Sequence, residues 1–134
     1  MKLNSNKENI AAAASTVYNV LLSFSKSDSV PPIPQVSDWK SVDNGFECTI
    51  SNMIKCRMQL VEQVPYSRIV YQISTDKGIN ASACGLIEDN GGQCSLQLTA
   101  EADVPLFVQP MVKGPLQQAL NRAILKIKEI AEKI

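Results

Sequence analysis

Histidine is missing from this 134-residue sequence. It is the commonest general base, the usual partner of a nucleophilic serine or cysteine, and the commonest metal ligand. We therefore predict no catalytic residues, no metal site and no cofactor. The absence favours a protein that is not an enzyme, although it leaves the question of catalysis open.

A surplus of charge of either sign is also missing, because 13 basic residues offset 13 acidic ones. Nucleic-acid-binding domains carry a basic patch or stripe, so nucleic acid is not an expected partner. No window approaches the roughly 20 apolar residues that a membrane-spanning helix needs. The first ten residues, MKLNSNKENI, lack the apolar core of a signal peptide. We expect a cytoplasmic protein without a membrane span, in one domain covering residues 1–134.

Four cysteines are present, but none belongs to a Cys-x-x-Cys motif. Cys48, Cys56, Cys84 and Cys94 are widely spaced within segments of apolar alternation, which favours buried free thiols. Cys48 and Cys56 are equally far from Asn52, so a turn centred there would place them opposite each other on two strands. A disulfide or a metal clip between these two is the alternative interpretation.

The longest amphipathic pattern lies in residues 104–134. From Leu116 onward, apolar residues recur at steps of three and four, which predicts one face of a helix. They are Leu116, Ala119, Leu120, Ala123, Ile124, Ile127, Ile130, Ala131 and Ile134. Pro110 suits a first helical turn, whereas Gly114-Pro115 predicts a kink or a break in a helix that is already running.

The N-terminal third predicts a strand, a helix and a linker. Residues 2–9 form a polar, weakly alternating first strand, and residues 10–25 form a helix. Its apolar face is predicted to comprise Ala13, Val17, Val20, Leu21 and Phe24. Residues 25–35, SKSDSVPPIPQ, favour an extended linker because of their prolines and serines. A second, very short helix in this linker is the alternative.

Between residues 36 and 102 the apolar pattern has a period of two, which predicts β-strands. Turn signals divide this region at Asn44-Gly45, 51–54, Pro65, 76–78 and 90–92. Consecutive hairpins give an antiparallel meander. The order of strand, helix, strand meander and long helix predicts an α+β fold, with one side of a curved antiparallel sheet covered by the terminal helix.

Three segments resemble the START-like superfamily, also called SRPBCC, which includes the birch pollen allergen, lipid-transfer START domains and polyketide cyclases. The segments are VYNVL (17–21), VEQVPYSRIVYQ (61–72) and ADVPLFVQPMVKGPLQQAL (102–120). They look closest to compact, stand-alone bacterial members. The resemblance implies a helix-grip fold: a curved antiparallel β-sheet wrapped around a long C-terminal α-helix, with one or two short helices after the first strand.

The resemblance also implies a cavity between the sheet and the C-terminal helix that holds a small hydrophobic ligand, such as a lipid or a polyketide-like molecule. The residues predicted to bind it are Cys48, Met58, Tyr71, Leu96, Phe107, Met111, Val112 and Leu116. Tyr71 and the cysteines would supply its polar points. A filled core made of the same residues is the alternative interpretation.

We therefore expect a non-catalytic carrier or sensor of a hydrophobic ligand. A polyketide cyclase-like enzyme is one alternative, but the sequence offers no matching set of polar catalytic residues. Glu62 follows Leu60 in the alternation but lies near the end of its strand, so a solvated carboxylate is the preferred interpretation and a place at the rim of the cavity is the alternative. A ligand-free, co-chaperone-like interaction module is another alternative, with Trp39 as its anchor and a protein partner or a second copy of the chain as its target.

Overall fold

The computed structural model describes residues 1–23, 36–50 and 52–134. Within those ranges the chain forms, in order, β1 (Lys2–Asn4), β2 (Glu8–Ile10), α1 (Ala14–Ser23), β3 (Val36–Val42), β4 (Gly45–Ile50), β5 (Ile54–Val64), β6 (Arg68–Thr75), β7 (Asn80–Asp89), β8 (Cys94–Ala102) and α2 (Gln109–Glu132). The strands form one antiparallel sheet in the order β1-β8-β7-β6-β5-β4-β3, and β2 also pairs with β8. This architecture confirms the predicted α+β helix-grip fold.

The single first strand predicted for residues 2–9 is divided into β1 and β2. Ser5 lies between them and is buried. Its backbone N–H donates to the Leu98 carbonyl at 2.8 Å, while its hydroxyl oxygen accepts the Leu98 N–H at 2.9 Å. In a regular strand pair, a backbone carbonyl would accept the Leu98 N–H. Here the Ser5 hydroxyl accepts it, so regular pairing with β8 stops at Ser5 and resumes at Glu8.

Helix α1 buries one apolar face against the sheet, as predicted, but the face is rotated slightly. Ala14 and Tyr18 are buried, whereas Ala13 is exposed. Leu21 packs over Gly85 of β7, where an added Cβ would stand 2.9 Å from a Leu21 methyl carbon. The glycine therefore allows the helix to approach the sheet closely. The predicted position of Phe24 and the linker of residues 25–35 lie outside the described residues.

Helix α2 runs without interruption from Gln109 to Glu132, so the predicted break at Gly114-Pro115 does not occur. The proline still removes one backbone hydrogen bond from the helix. As predicted, Pro110 lies in the first turn. The helix contacts β1, β2, β8 and α1. Neither described helix combines the length and apolar character needed to cross a membrane.

Side chains of α2 bond to the backbone around β1 and β2. Gln117 donates to the Asn4 carbonyl at 2.8 Å, and Lys128 donates to the Asn9 carbonyl at 2.7 Å. Only the second half of the helix contributes fully buried residues, namely Ile124, Ile127 and Ala131. The first half is therefore held over the sheet without burying any side chain completely.

The turn between β3 and β4 consists of Asp43 and Asn44, one residue earlier than the predicted Asn44-Gly45. Val42 pairs with Gly45, and Asn44 adopts the left-handed conformation with a φ of 58°. Gly45 is instead the first, buried residue of β4. A Cβ at this position would collide with the backbone carbonyl of Met58 on β5, so close approach of two strands requires the glycine here.

We expect Gly45→Ala to lower the free energy of unfolding by about 2 kcal/mol or more, because backbone atoms must shift to admit the new methyl group. Gly114→Ala is the matched control. Nothing lies within 4 Å of a Cβ placed there, and alanine is the better helix former by about 1 kcal/mol. Urea denaturation measures both changes. Equal stability of the two variants would contradict the close approach at Gly45.

Candidate functional site

The sheet has an inner face, defined here as the side that carries Tyr71 and faces the two helices. Strand register sets which residues share it. Three rows of aligned residues run across β6, β7 and β8. In the first row, Ile69 aligns with Gly85 and Leu98, and in the second row Tyr71 aligns with Ala83 and Ala100. In the third row, Ile73 aligns with Ala81 and Ala102. The side chains on this face become smaller toward the third row.

One end of the inner face, which we call the closed end, is completely packed. Its sheet residues Ile69, Ile87 and Leu96 are buried together with Val17 of α1 and Ile124 of α2. Leu96 is 0% exposed. The structure therefore places this predicted ligand-binding residue in the filled core, in the same buried cluster as Tyr71.

The other end, which we call the open end, is incompletely packed. Met58, Leu60 and Ile73 are only partly buried although they share the face of the buried Tyr71. Two directly opposed alanine pairs lie next to them: Ala83 with Ala100, and Ala81 with Ala102. These four small side chains are also only partly buried. An apolar surface thus remains at the open end, and no layer formed by the described residues fully covers it.

The alanine pairs are the part of this surface that sequence reasoning missed. The alternation of residues 94–102 predicts that Ala100 and Ala102 face inward, but small residues on both faces of residues 81–88 give no clear alternation, so Ala81 and Ala83 were missed as their partners. The signal was present in pairs of alanines spaced two apart, at 81 and 83 and at 100 and 102. Only the strand register shows that the two pairs face each other.

The first half of α2 contributes the remaining apolar groups near the open end. Val112 and Leu120 are partly buried, and Leu116 is 40% exposed. Phe107 and Met111, which we predicted to close the cavity, are 84% and 76% exposed. In this structure they extend to the surface, so the first half of the helix is apolar but largely unpartnered.

Tyr71 was predicted as a polar point of the ligand cavity. It is buried, and its hydroxyl donates to the Leu21 carbonyl at 2.8 Å. Leu21 lies near the end of the described part of α1. The hydroxyl therefore ties β6 to α1 and marks the boundary between the closed and open ends.

Glu62 does not lie on the inner face, so it does not reach a cavity rim; it is exposed, which agrees with the preferred interpretation of a solvated carboxylate. A β-bulge between Leu60 and Glu62 adds one residue to β5 and reverses the alternation. Glu62 lies on the outer face, 3.6 Å from Arg68, and Gln63 takes the inner position, where it accepts a hydrogen bond from Tyr18 at 3.2 Å. The bulge thus keeps a carboxylate out of the cavity.

A second apolar cluster continues the inner face onto β3, β4 and β5. It contains Phe46, Cys48 and Cys56, with Met58 and Ile73 packed against it. Trp39 stacks on Phe46 with ring centroids 3.8 Å apart. The tryptophan is partly buried against the sheet, which gives it a packing role and weakens the alternative of an interface anchor.

Cys48 and Cys56 stand directly opposite each other on β4 and β5, and both are buried. Their thiols share a hydrogen bond. This bond holds the pKa of Cys48 below its usual value, while the same bond and burial raise the pKa of Cys56. Both line a surface groove of about 440 Å³.

The other two cysteines lie apart from this pair. Cys94 is buried, and burial raises its pKa. Cys84 is half-buried on the outer face opposite Thr99, and burial raises its pKa as well. All four thiols are free. Across the described ranges, no cluster of three or more Cys, Asp, Glu or His side chains is arranged to hold a metal ion.

No protein-family model matches the sequence, and no curated protein sequence matches it significantly. Similar solved structures do exist. A conserved protein from Geobacillus kaustophilus has a TM-score of 0.76 at 13% identity, with 99% of this chain and 96% of that chain covered. A START superfamily protein from Mycobacterium smegmatis has a TM-score of 0.72 at 14% identity, with coverages of 98% and 97%.

Norcoclaurine synthase from Thalictrum flavum is also similar. Its structure in complex with dopamine and hydroxybenzaldehyde has a TM-score of 0.72 at 16% identity, with 99% of this chain and 87% of that chain covered. At these identities the likenesses establish the fold alone. The chain has the START-like helix-grip fold that the sequence predicted.

We expect Tyr71→Phe to lower the free energy of unfolding by about 1–2 kcal/mol, because the buried Leu21 carbonyl loses its donor. Tyr66→Phe is the matched control, since Tyr66 is 55% exposed and its hydroxyl should contribute little. Thermal or urea denaturation separates the two. Equal stabilities would contradict the structural role assigned to the Tyr71 hydroxyl.

Proposed function

We propose that the protein binds a small, uncharged hydrophobic molecule at the open end of the inner face and does not transform it. It would act inside the cell as a carrier or sensor, in one domain spanning residues 1–134. The observation that carries this proposal is the unfilled apolar surface formed by Met58, Leu60, Ile73 and the alanine pairs, below the unburied first half of α2. A ligand there would cover surface that the protein leaves partly exposed.

The charge pattern supports an uncharged ligand. On β4, β5 and β6 the described acidic and basic side chains belong to the outer face, where Glu47 lies 3.7 Å from Arg57 and Glu62 lies 3.6 Å from Arg68. The inner face of these strands therefore offers no carboxylate or amine to pair with a charged ligand or to transfer protons. This is the reason to prefer binding over catalysis.

The fold comparison supports the binding of a small molecule by a protein of this fold but identifies neither the molecule nor its position. Norcoclaurine synthase has the same fold, and its structure holds dopamine and hydroxybenzaldehyde, two small aromatic molecules. That protein is an enzyme, so the fold is compatible with catalysis. In the present chain, the bulge that turns Glu62 outward supports a non-catalytic variant of the same arrangement.

Phe107 and Met111 have a defined role in this proposal. Both are exposed in the structure; Phe107 lies in the turn that precedes α2, and Met111 lies in the first turn of the helix. We propose that they fold over the ligand together with Val112 and Leu116 and thereby complete its apolar enclosure. A flexible thioether such as Met111 can adapt to ligands of different shape.

The expected affinity sets the conditions of the test. A ligand of about 20 non-hydrogen atoms that gains about 0.3 kcal/mol of binding free energy per atom would bind with a free energy of about −6 kcal/mol. This corresponds to a dissociation constant of tens of micromolar. Neutral N-phenyl-1-naphthylamine, whose fluorescence rises in apolar sites, is a suitable probe. Fatty acids, sterols and aromatic polyketides can then be ranked by displacement of the probe.

We expect Ala83→Leu to weaken probe binding at least about tenfold, because the added atoms occupy the space proposed for the ligand. Ser82→Leu is the matched control, since it adds a side chain of the same size to the outer face of the same strand. Unchanged binding by a folded Ala83→Leu protein, or equal loss in both variants, would place the ligand elsewhere.

We expect Phe107→Ala to weaken ligand binding while changing the free energy of unfolding by less than about 0.5 kcal/mol, because the ring is exposed before the ligand arrives. Leu125→Ala is a suitable control, as it removes another exposed apolar side chain of α2, one that is 54% exposed and lies in the second half of the helix. Probe titration and thermal unfolding measure the two effects. An equal affinity of both variants would remove Phe107 from the site.

A further inference from the structure

The paired thiols of Cys48 and Cys56 form a site that the proposed ligand binding does not use. The two residues are directly opposed on adjacent antiparallel strands. Opposed residues have Cα atoms about 4.5–5.5 Å apart, which falls within the range of about 4.4–6.8 Å that disulfides span. A covalent bond between the two sulfur atoms is therefore compatible with the strand register, with the two Cβ atoms moving together from the roughly 4.5–5.5 Å typical of opposed residues to about 3.5–4.5 Å.

A surface groove lies at the strands that carry this pair, and both cysteines are among its lining residues. Three basic residues, Lys40, Lys55 and Arg57, and three acidic ones, Asp38, Glu47 and Asp76, also line it. Because the two signs balance, the groove neither attracts nor excludes a neutral molecule on electrostatic grounds. Cys48 is 6% exposed and Cys56 is 5% exposed, so only a small reagent can reach their thiols.

We propose that Cys48 and Cys56 are a redox-active dithiol that a small hydroperoxide oxidises to an intramolecular disulfide. In the first step, the Cys48 thiolate attacks one peroxide oxygen. An S–O bond forms, the O–O bond breaks, and the leaving oxygen takes up a proton and departs as water or an alcohol. In the second step, the Cys56 sulfur attacks the sulfenic sulfur of Cys48. The S–S bond forms, and the hydroxyl leaves with the Cys56 proton as water. Two thiols lose two electrons, and the hydroperoxide gains them.

The hydrogen bond between the thiols supports this division of roles. It stabilises the Cys48 thiolate, whose pKa is lowered, and it keeps the proton on Cys56, whose pKa is raised. The thiolate is the nucleophile of the first step. Cys84 and Cys94 have raised pKa values and no opposed cysteine on a neighbouring strand, so they lack both features.

The test begins with fully reduced protein, freed of reductant, and treated with hydrogen peroxide in small molar excess. Free thiols are blocked by alkylation, and the unreduced protein is digested with trypsin. Cleavage after Lys40, Lys55 and Arg57 releases residues 41–55 linked to the dipeptide Cys56-Arg57 if the disulfide has formed. We expect this linked peptide to appear at least about tenfold faster than oxidation of Cys84. Dithiothreitol should restore both thiols.

The single tryptophan gives a second readout. Trp39 stacks on Phe46 in the same cluster as the two cysteines, so its fluorescence should change in step with formation of the linked peptide.

Cys84→Ser is the matched control variant and should retain both signals, whereas Cys48→Ser should lose both. The digest of the unmodified protein decides the question even if Cys48→Ser fails to fold. Oxidation of Cys84 or Cys94 before the pair, or oxidation of the pair to sulfinic acids without a disulfide, would overturn the proposal.

Discussion

The contact between α1 and the inner face of the sheet is the constraint on which the arrangement depends. Leu21 packs over Gly85, and the Leu21 carbonyl accepts the hydroxyl of Tyr71. A side chain at Gly85 would push the helix away, and loss of the hydroxyl would leave a buried carbonyl without a donor. These two contacts fix α1 across β6 and β7, at one end of the sheet.

The position of α1 determines which end of the inner face is fully packed with side chains and which end is not. The second half of α2 packs with α1 and buries Ile124 and Ile127 in the closed end. In the first half of α2, Gln117 donates to the Asn4 carbonyl of β1, which pairs with the part of β8 that contains Ala100. Large side chains therefore fill one end, whereas small side chains and an unburied helix segment leave the other end available for a ligand.

The sequence predicted the periodic parts of this fold well. Alternation on β4, on β5 as far as Leu60, on β6 and on β8 identified the inner residues, because each strand buries only one face and a shift of one residue would expose the whole set. Periodicity also identified both helices. The segments that resemble START-like proteins added the order of layers, which local patterns alone do not establish.

The errors concern features that depend on contacts between distant residues. The bulge before Glu62 breaks the alternation, and nothing in the local pattern around Val61 indicates it. Gly45 looked like a turn residue but is required by the Met58 carbonyl of another strand. The helix continues through Gly114-Pro115 because packing of α2 outweighs the local cost of the proline. The exposure of Phe107 likewise depends on tertiary structure, so the spacing of apolar residues along the sequence does not predict it.

The most direct test of a ligand site at the open end is a methyl NMR titration. The alanine and methionine methyl groups would be labelled, and a neutral hydrophobic ligand selected by displacement would be added in steps. The account predicts saturable shifts at Ala81, Ala83, Ala100, Ala102 and Met58, with the Ala14 methyl of the closed end almost unchanged. Saturable shifts confined to surface methyl groups such as Met53, or no shift with any ligand, would contradict it.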